Sequence, residues 1–107
     1  MTMKWLTLYL SRSVSQVMLD DLKAILPGDA VKIFINGLDE TRYATVECVQ
    51  SEQYCALIAS AIIVWRQLGR IDTILFQAGE MARRADEASQ FQLFSMMKTT
   101  RAVLQIA

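Results

Sequence analysis

The chain begins with a strand pattern followed by a helix pattern. Residues 4–10 (KWLTLYL) alternate so that one face of a strand would carry only leucines. Ser13 followed by Gln16 is a capping-box signature, and the apolar residues behind it recur at helical spacing. These helical positions are Val14, Val17, Met18, Leu22 and Ile25. Pro27 and Gly28 then predict the end of this helix.

Two further strand patterns follow. Residues 31–35 (VKIFI) are apolar and β-branched, which is typical of a short strand. Asn36 and Gly37 behind them indicate either a tight hairpin turn or the exit of a central strand, and both alternatives are open. Polar and apolar positions alternate again over residues 43–49, which predicts a second, half-exposed strand.

The clearest helical pattern lies in the middle of the chain. Ser51 is a plausible N-cap, and Gly69 predicts the end of this helix. One stripe at helical spacing consists of Tyr54, Leu57, Ile58, Ala61, Trp65 and Leu68. Further apolar residues widen it, namely Cys55, Ile62, Ile63 and Val64. We therefore expect a helix buried on most sides, with Trp65 deep in the core.

The C-terminal third shows one strand pattern and two helix patterns. Residues 71–77 (IDTILFQ) predict a buried strand, and Gly79 is interpreted as opening a polar helix. That helix would present a thin stripe of Met81, Ala85 and Ala88. Thr99 or Thr100 could cap a last short helix, whose apolar residues would be Ala102, Val103 and Ile106.

Strands separated by helices predict a single α/β domain spanning residues 1–107. A mixed, mostly parallel sheet is expected, because helices between strands usually serve as crossover connections. Right-handed crossovers would place the helices on the faces of this sheet.

Composition and charge narrow the class of function. The 107 residues are 53% hydrophobic, which suffices for one core, and 11 basic residues balance 11 acidic ones. The basic residues are scattered, so we expect no nucleic acid and no lipid membrane as partner. The longest apolar stretch, 54–65, is too short to span a membrane, and no signal peptide is recognised at the N-terminus. The chain is therefore expected to be soluble and cytoplasmic.

No set of residues indicates catalysis or a cofactor. The chain contains no histidine, so neither a Ser-His-Asp nor a Cys-His mechanism is available to it. Its four glycines are isolated, so no phosphate-binding loop is present. Cys48 and Cys55 match no metal or redox spacing and are interpreted as buried free thiols of a reducing cytoplasm. We expect no enzyme activity, cofactor, metal or disulfide.

Two functions of different kinds remain. The dense apolar segment near the C-terminus exceeds what one face of a short helix can bury, so it is a candidate interface for a protein partner or a homodimer. Plain packing of these residues in the core is the alternative interpretation. Its residues are Phe91, Leu93, Phe94, Met96 and Met97. The alternative is a small-ligand-binding or enzymatic domain, with a pocket between the 51–68 helix and the sheet. Such a pocket would use Arg42, Tyr43, Glu47 or Cys48.

The layout of the chain resembles the STAS domain of anti-sigma-factor antagonists. In that family a strand and a polar turn lead to a serine or threonine at the start of an apolar helix, which a glycine and another strand follow. VKIFINGL, Ser51, ALIASAIIVWRQLG and RIDTILFQ occupy those places here, and FQLFSMM and TTRAVLQ resemble the tail. The resemblance covers about three quarters of the chain, while the family's Asp-Ser motif is replaced by Gln50-Ser51.

This resemblance implies a non-enzymatic regulatory domain. Ser51 would be the phosphate acceptor, and the helix behind it would bind a kinase-like partner. A phosphate at a helix N-terminus gains from the helix dipole, although Glu47 and Glu52 would oppose it. The alternative interpretation of the same serine is a simple N-cap, and the sequence favours it.

Overall fold

Strands of one sheet and a layer of helices make up the described part of the chain. A computed structural model describes residues 4–35 and 44–107. A 3-10 turn, Gly28–Ala30, precedes β2. The elements in chain order are β1 (Trp5–Leu10), α1 (Arg12–Ile25), β2 (Val31–Ile35), β3 (Ala44–Val49), α2 (Glu52–Gln67), β4 (Ile74–Ala78), β5 (Met81–Arg84), α3 (Gln90–Met97) and β6 (Ala102–Ile106).

The sheet is mixed, as predicted, but it is mostly antiparallel. Its strand order is β2-β3-β1-β6-β4-β5. Among neighbouring strands of the described residues, β1 and β6 form the one parallel pair, whereas the other four pairs are antiparallel. The prediction of a mostly parallel sheet was wrong because sequence order does not reveal which strands become neighbours. Asn36, Gly37 and Tyr43 lie outside the described residues.

The segment predicted as a polar helix after Gly79 is instead a hairpin. Ala78 pairs with Met81, so that Gly79 and Glu80 form the turn between β4 and β5. A two-residue hairpin turn needs a positive φ, and Gly79 has a φ of 61°. Gly79 therefore provides the positive φ that this turn requires.

The end of the chain is also a strand and not a helix. Ala102, Leu104 and Ile106 are buried and alternate with half-buried residues, as expected for a strand. The threonines expected to cap a helix lie in the turn before β6, where Arg101 has a φ of 60°. This period of two went unrecognised because three apolar residues at helical spacing were also present.

The three helices of the described residues form one layer. α2 lies between α1 and α3 and contacts both, and α3 also contacts β6. One face of the sheet is consequently buried under the helices; its residues include Leu6, Leu8, Val46, Cys48 and Leu104. The other face is half-buried and carries Trp5, Tyr9, Glu47, Leu75 and Gln105. Helices were expected on the faces of the sheet; those of residues 4–35 and 44–107 cover one face.

Local signals at the helix ends were predicted with mixed success. Ser51 is the N-cap of α2, and its hydroxyl accepts a hydrogen bond from the Tyr54 N–H at 3.1 Å. Gly69 follows the end of α2 with a φ of 70°, which confirms its predicted role. The N-cap of α1 is Ser11 and not Ser13. The capping box of the described helices belongs to α3, where Ser89 and Gln92 bond reciprocally.

Candidate protein-binding surface on helices α2 and α3

The outer face of α2 carries an apolar stripe that faces solvent. Leu57, Val64 and Leu68 are 37%, 47% and 61% exposed, and Ala61 between them is half-buried. These four residues stand at i, i+4, i+7 and i+11, so they form one line along the helix. We call this line the α2 ridge.

The α2 ridge corrects the predicted orientation of the helix. The side of α2 that faces the sheet consists of Cys55, Ile58, Ala59, Ile62 and Trp65. Trp65 is 2% exposed, which confirms its predicted burial. Leu57 and Leu68 were expected on that inner side and were wrongly placed. Apolar residues lie almost all around α2, so periodicity alone could not select the inner arc.

Charge is nearly absent from the exposed surface of α2. Its exposed residues are Glu52, Gln53, Ala56, Leu57, Ser60, Val64 and Gln67, and Glu52 is the charged one among them. Arg66 is half-buried and donates to the carbonyls of Asp86 and Ala88 at 2.9 and 2.7 Å. An ordinary surface helix carries charged residues on its outer face. Depletion of charge around exposed apolar residues is the pattern of an interface centre.

A shallow groove of about 400 Å³ runs between α2 and α3. Ala56 and Ala59 form its α2 wall, and Phe91 and Phe94 form its α3 wall together with Gln90. The small alanine side chains leave the space that the groove occupies. Phe91 is 74% exposed, although it is a large aromatic residue. The groove widens the apolar surface beside the α2 ridge.

The structure divides the predicted C-terminal interface. Leu93, Met96 and Met97 are buried in the core, so they cannot contact a partner while the domain stays folded. Phe94 packs partly against that core. Phe91 stands two residues before Leu93, which is about 200° around the helix, and therefore points outward. Of the five predicted residues, Phe91 and part of Phe94 contribute to the surface.

The N-terminal end of α2 is tied to the end of α3. The Gln50 side-chain amide donates to the carbonyls of Met97 and Thr99 at 2.5 and 2.7 Å. Lys98 pairs with Glu52 at 2.7 Å, and its hydrogen bond lowers the pKa of the Glu52 carboxyl. These contacts keep the two walls of the groove together. Ser51, the predicted phosphate acceptor, lies half-buried between Gln50 and Glu52.

The two described residues of the alternative pocket, Glu47 and Cys48, do not come together. Cys48 faces the helices and is fully buried, whereas Glu47 lies on the opposite face of the sheet. Burial, with a smaller contribution from Cys55, raises the pKa of the Cys48 thiol to about 12, so it is not a thiolate at neutral pH. Arg42 and Tyr43 lie outside the described residues. Both cysteines are free thiols.

One more hollow lies on the uncovered face of the sheet. It measures about 310 Å³ and is lined by residues that include Tyr9, Thr73, Arg84 and Gln105. The Arg84 guanidinium at this hollow is bonded to the Asp86 carboxylate. Over residues 4–35 and 44–107, no cluster of three or more His, Cys, Asp or Glu side chains could hold a metal ion. No helix of the same ranges has the length and apolar character of a membrane span.

Comparison of the chain with models of known families, with curated proteins and with solved structures finds no match.

Proposed function

We propose that the chain is a non-enzymatic protein-interaction domain that binds its partner through the α2 ridge and the neighbouring Phe91. The observation that carries the proposal is a line of exposed apolar side chains on a helix whose outer face is almost free of charge. Exposing apolar side chains to water is energetically unfavourable, so a surface of this kind marks an interaction site.

A regulatory role is included in this proposal, as the resemblance to anti-sigma-factor antagonists implies. Ser51 caps the helix that carries the α2 ridge. A phosphate there would add negative charge at one end of the binding surface. Mass spectrometry of the protein isolated from its host should then detect a phosphorylated peptide that contains Ser51. Two buried free thiols support a reducing compartment, for which we propose the cytoplasm.

Photo-crosslinking in the native host tests the binding surface directly. A benzophenone amino acid in place of Val64 should yield a covalent adduct with a protein, because this position lies in the middle of the α2 ridge. The matched control carries the same amino acid at Glu80, an exposed residue of the β4–β5 turn. Adducts from position 64 but not from position 80 support the proposal. No adduct from position 64, or equal adducts from both positions, would refute it.

A further inference from the structure

We propose that the partner of the α2 ridge is a second copy of this chain, with the two α2 helices packed antiparallel about a two-fold axis. This inference rests on the proposed function and specifies its partner. The axis would pass beside Ser60 and Ala61, near the middle of α2.

Two residues of the α2 ridge, Leu57 and Val64, lie symmetrically about that point. Leu57 stands three residues before Ser60, and Val64 stands three residues after Ala61. Antiparallel packing therefore sets Leu57 of each copy against Val64 of the other. In a two-fold interface the same surface must complement itself, and this placement satisfies that requirement.

The next positions outward obey the same symmetry. Gln53 stands seven residues before Ser60, and Leu68 stands seven residues after Ala61. Steps of three and seven residues are the spacing of an antiparallel helix seam. Leu68, the most exposed residue of the ridge at 61%, would cover the aliphatic part of the partner's Gln53.

The crossing point at Ser60 and Ala61 suits close contact between the two helices. Ser60 and Ala61 are small and uncharged, so two copies can approach there without steric or electrostatic conflict. Packed helices lie about 8–10 Å apart, and small residues at the crossing point allow the shorter distances. A charged residue at this position would meet the same charge of the other copy across the axis. The segment of α2 between Glu52 and Arg66 contains no charged residue.

Charges at the two ends favour the antiparallel direction. Glu52, whose side chain is 79% exposed and pairs with Lys98, marks the N-terminal end, and exposed Arg70 lies just beyond the C-terminal end. Antiparallel packing brings the exposed Glu52 carboxylate of one copy near Arg70 of the other, at both ends of the contact. Parallel packing would instead bring the two Arg70 side chains together. The helix dipoles favour the antiparallel direction for the same reason.

Phe91 supplies part of the area that a stable dimer needs. A helix of 16 residues is about 24 Å long, and a stable interface takes about 800 Å² from each copy. A single line of side chains along such a helix is too narrow to bury that area by itself. Phe91 stands beside Ala56 in the N-terminal half of α2, where the C-terminal half of the partner helix would lie.

Sedimentation equilibrium of the purified chain tests whether the dimer forms. The wild type should be a dimer, and Val64→Glu should raise the dissociation constant about a hundredfold or more, because it buries an unpaired carboxylate. Gln16→Glu on the exposed side of α1 adds the same charge elsewhere and should leave the dimer intact. Circular dichroism must show that both variants are folded.

Single cysteines test the direction of packing. A residue near the two-fold axis meets its own copy, so Ala61→Cys should form an intermolecular disulfide on mild oxidation. Leu57→Cys and Leu68→Cys should not form one, because antiparallel packing separates each of them from its equivalent. The wild type, with its two buried thiols, is the background control.

The outcomes separate this inference from the proposed function. A purified chain that stays monomeric up to millimolar concentration overturns the dimer. The antiparallel packing is overturned if the cysteines at positions 57 and 68 form as much intermolecular disulfide as the cysteine at position 61. In that case a Val64 adduct with a different protein in the host still supports the interaction domain. If position 64 yields no adduct with any protein, both the dimer and the proposed interaction domain are refuted.

Discussion

The indole N–H of Trp65 donates a hydrogen bond to the carboxylate of Asp21, with 2.5 Å between Nε1 and Oδ2. The bond joins α2 to α1 at the edge of the core, where the tryptophan ring is almost fully buried. The ring thus combines apolar packing with a polar contact to the neighbouring helix.

Two substitutions of Trp65 should lower the free energy of unfolding by different amounts. Trp65→Ala leaves a large cavity and should lower the free energy of unfolding by about 3–5 kcal/mol. Trp65→Phe keeps much of the packing, loses the bond to Asp21, and should cost about 2 kcal/mol. Urea unfolding followed by circular dichroism measures both. An alanine variant as stable as the wild type would show that the ring does not belong to the core.

Ser51, the N-cap of α2, should make a measurable contribution to the free energy of unfolding. Ser51→Ala removes the acceptor of the Tyr54 N–H and should lower the free energy of unfolding by about 1 kcal/mol. Ser51→Asp should restore most of this loss, because aspartate is also a good N-cap. Ser95→Ala, which replaces an exposed serine in the middle of α3, is the matched control and should not destabilise the chain. Equal effects at Ser51 and Ser95 would contradict the capping role.

Acid should weaken the link between β4 and the end of β5. Asp86 accepts from the Arg84 side chain and from the Ile74 N–H, and these two bonds lower the pKa of its carboxyl below 3.8. The unfolded chain therefore takes up this proton first as the pH falls. Stability from the group is fully present above about pH 4 and is lost as the pH falls through the folded-state pKa.

The measurement for Asp86 is the urea midpoint between pH 6 and pH 2.5. Asp86→Asn should show a shallower loss of stability with acid than the wild type. Asp20→Asn removes one carboxylate from the exposed surface of α1 and controls for the change in net charge. If the wild type and Asp86→Asn lose stability in parallel, the carboxylate does not stabilise the folded chain.

Alkali should destabilise the fold through Cys48. Burial, followed by the effect of Cys55, raises the pKa of this thiol from 9.0 to about 12, so the unfolded chain loses the proton first as the pH rises. Stability from the group is fully present below pH 9 and is lost as the pH rises toward 12. Cys48→Ala should show a smaller loss of stability between pH 8.5 and pH 10.5 than the wild type. Identical slopes would mean that Cys48 is not protected from solvent.

The candidate surface was only partly predictable. The sequence shows that the segment from Phe91 to Met97 holds more apolar residues than one helix face requires. It does not show that Leu93 and Met97 point inward while Phe91 points outward, since that depends on how α3 meets α2 and β6. The ridge residues Leu57 and Val64 were assigned to the core for the same reason.

Local physical chemistry in the sequence by itself determined the strand over residues 5–10, the N-cap at Ser51 and the end of α2 at Gly69. Each depends on neighbours within a few residues. Only the tertiary structure decided that β1 pairs with β6, where Leu8 meets Leu104, and which arc of α2 faces the sheet. Pairing joins segments far apart in the chain, and its free energy depends on the whole sheet. A helix that is apolar nearly all around can be oriented only by the surface it packs against.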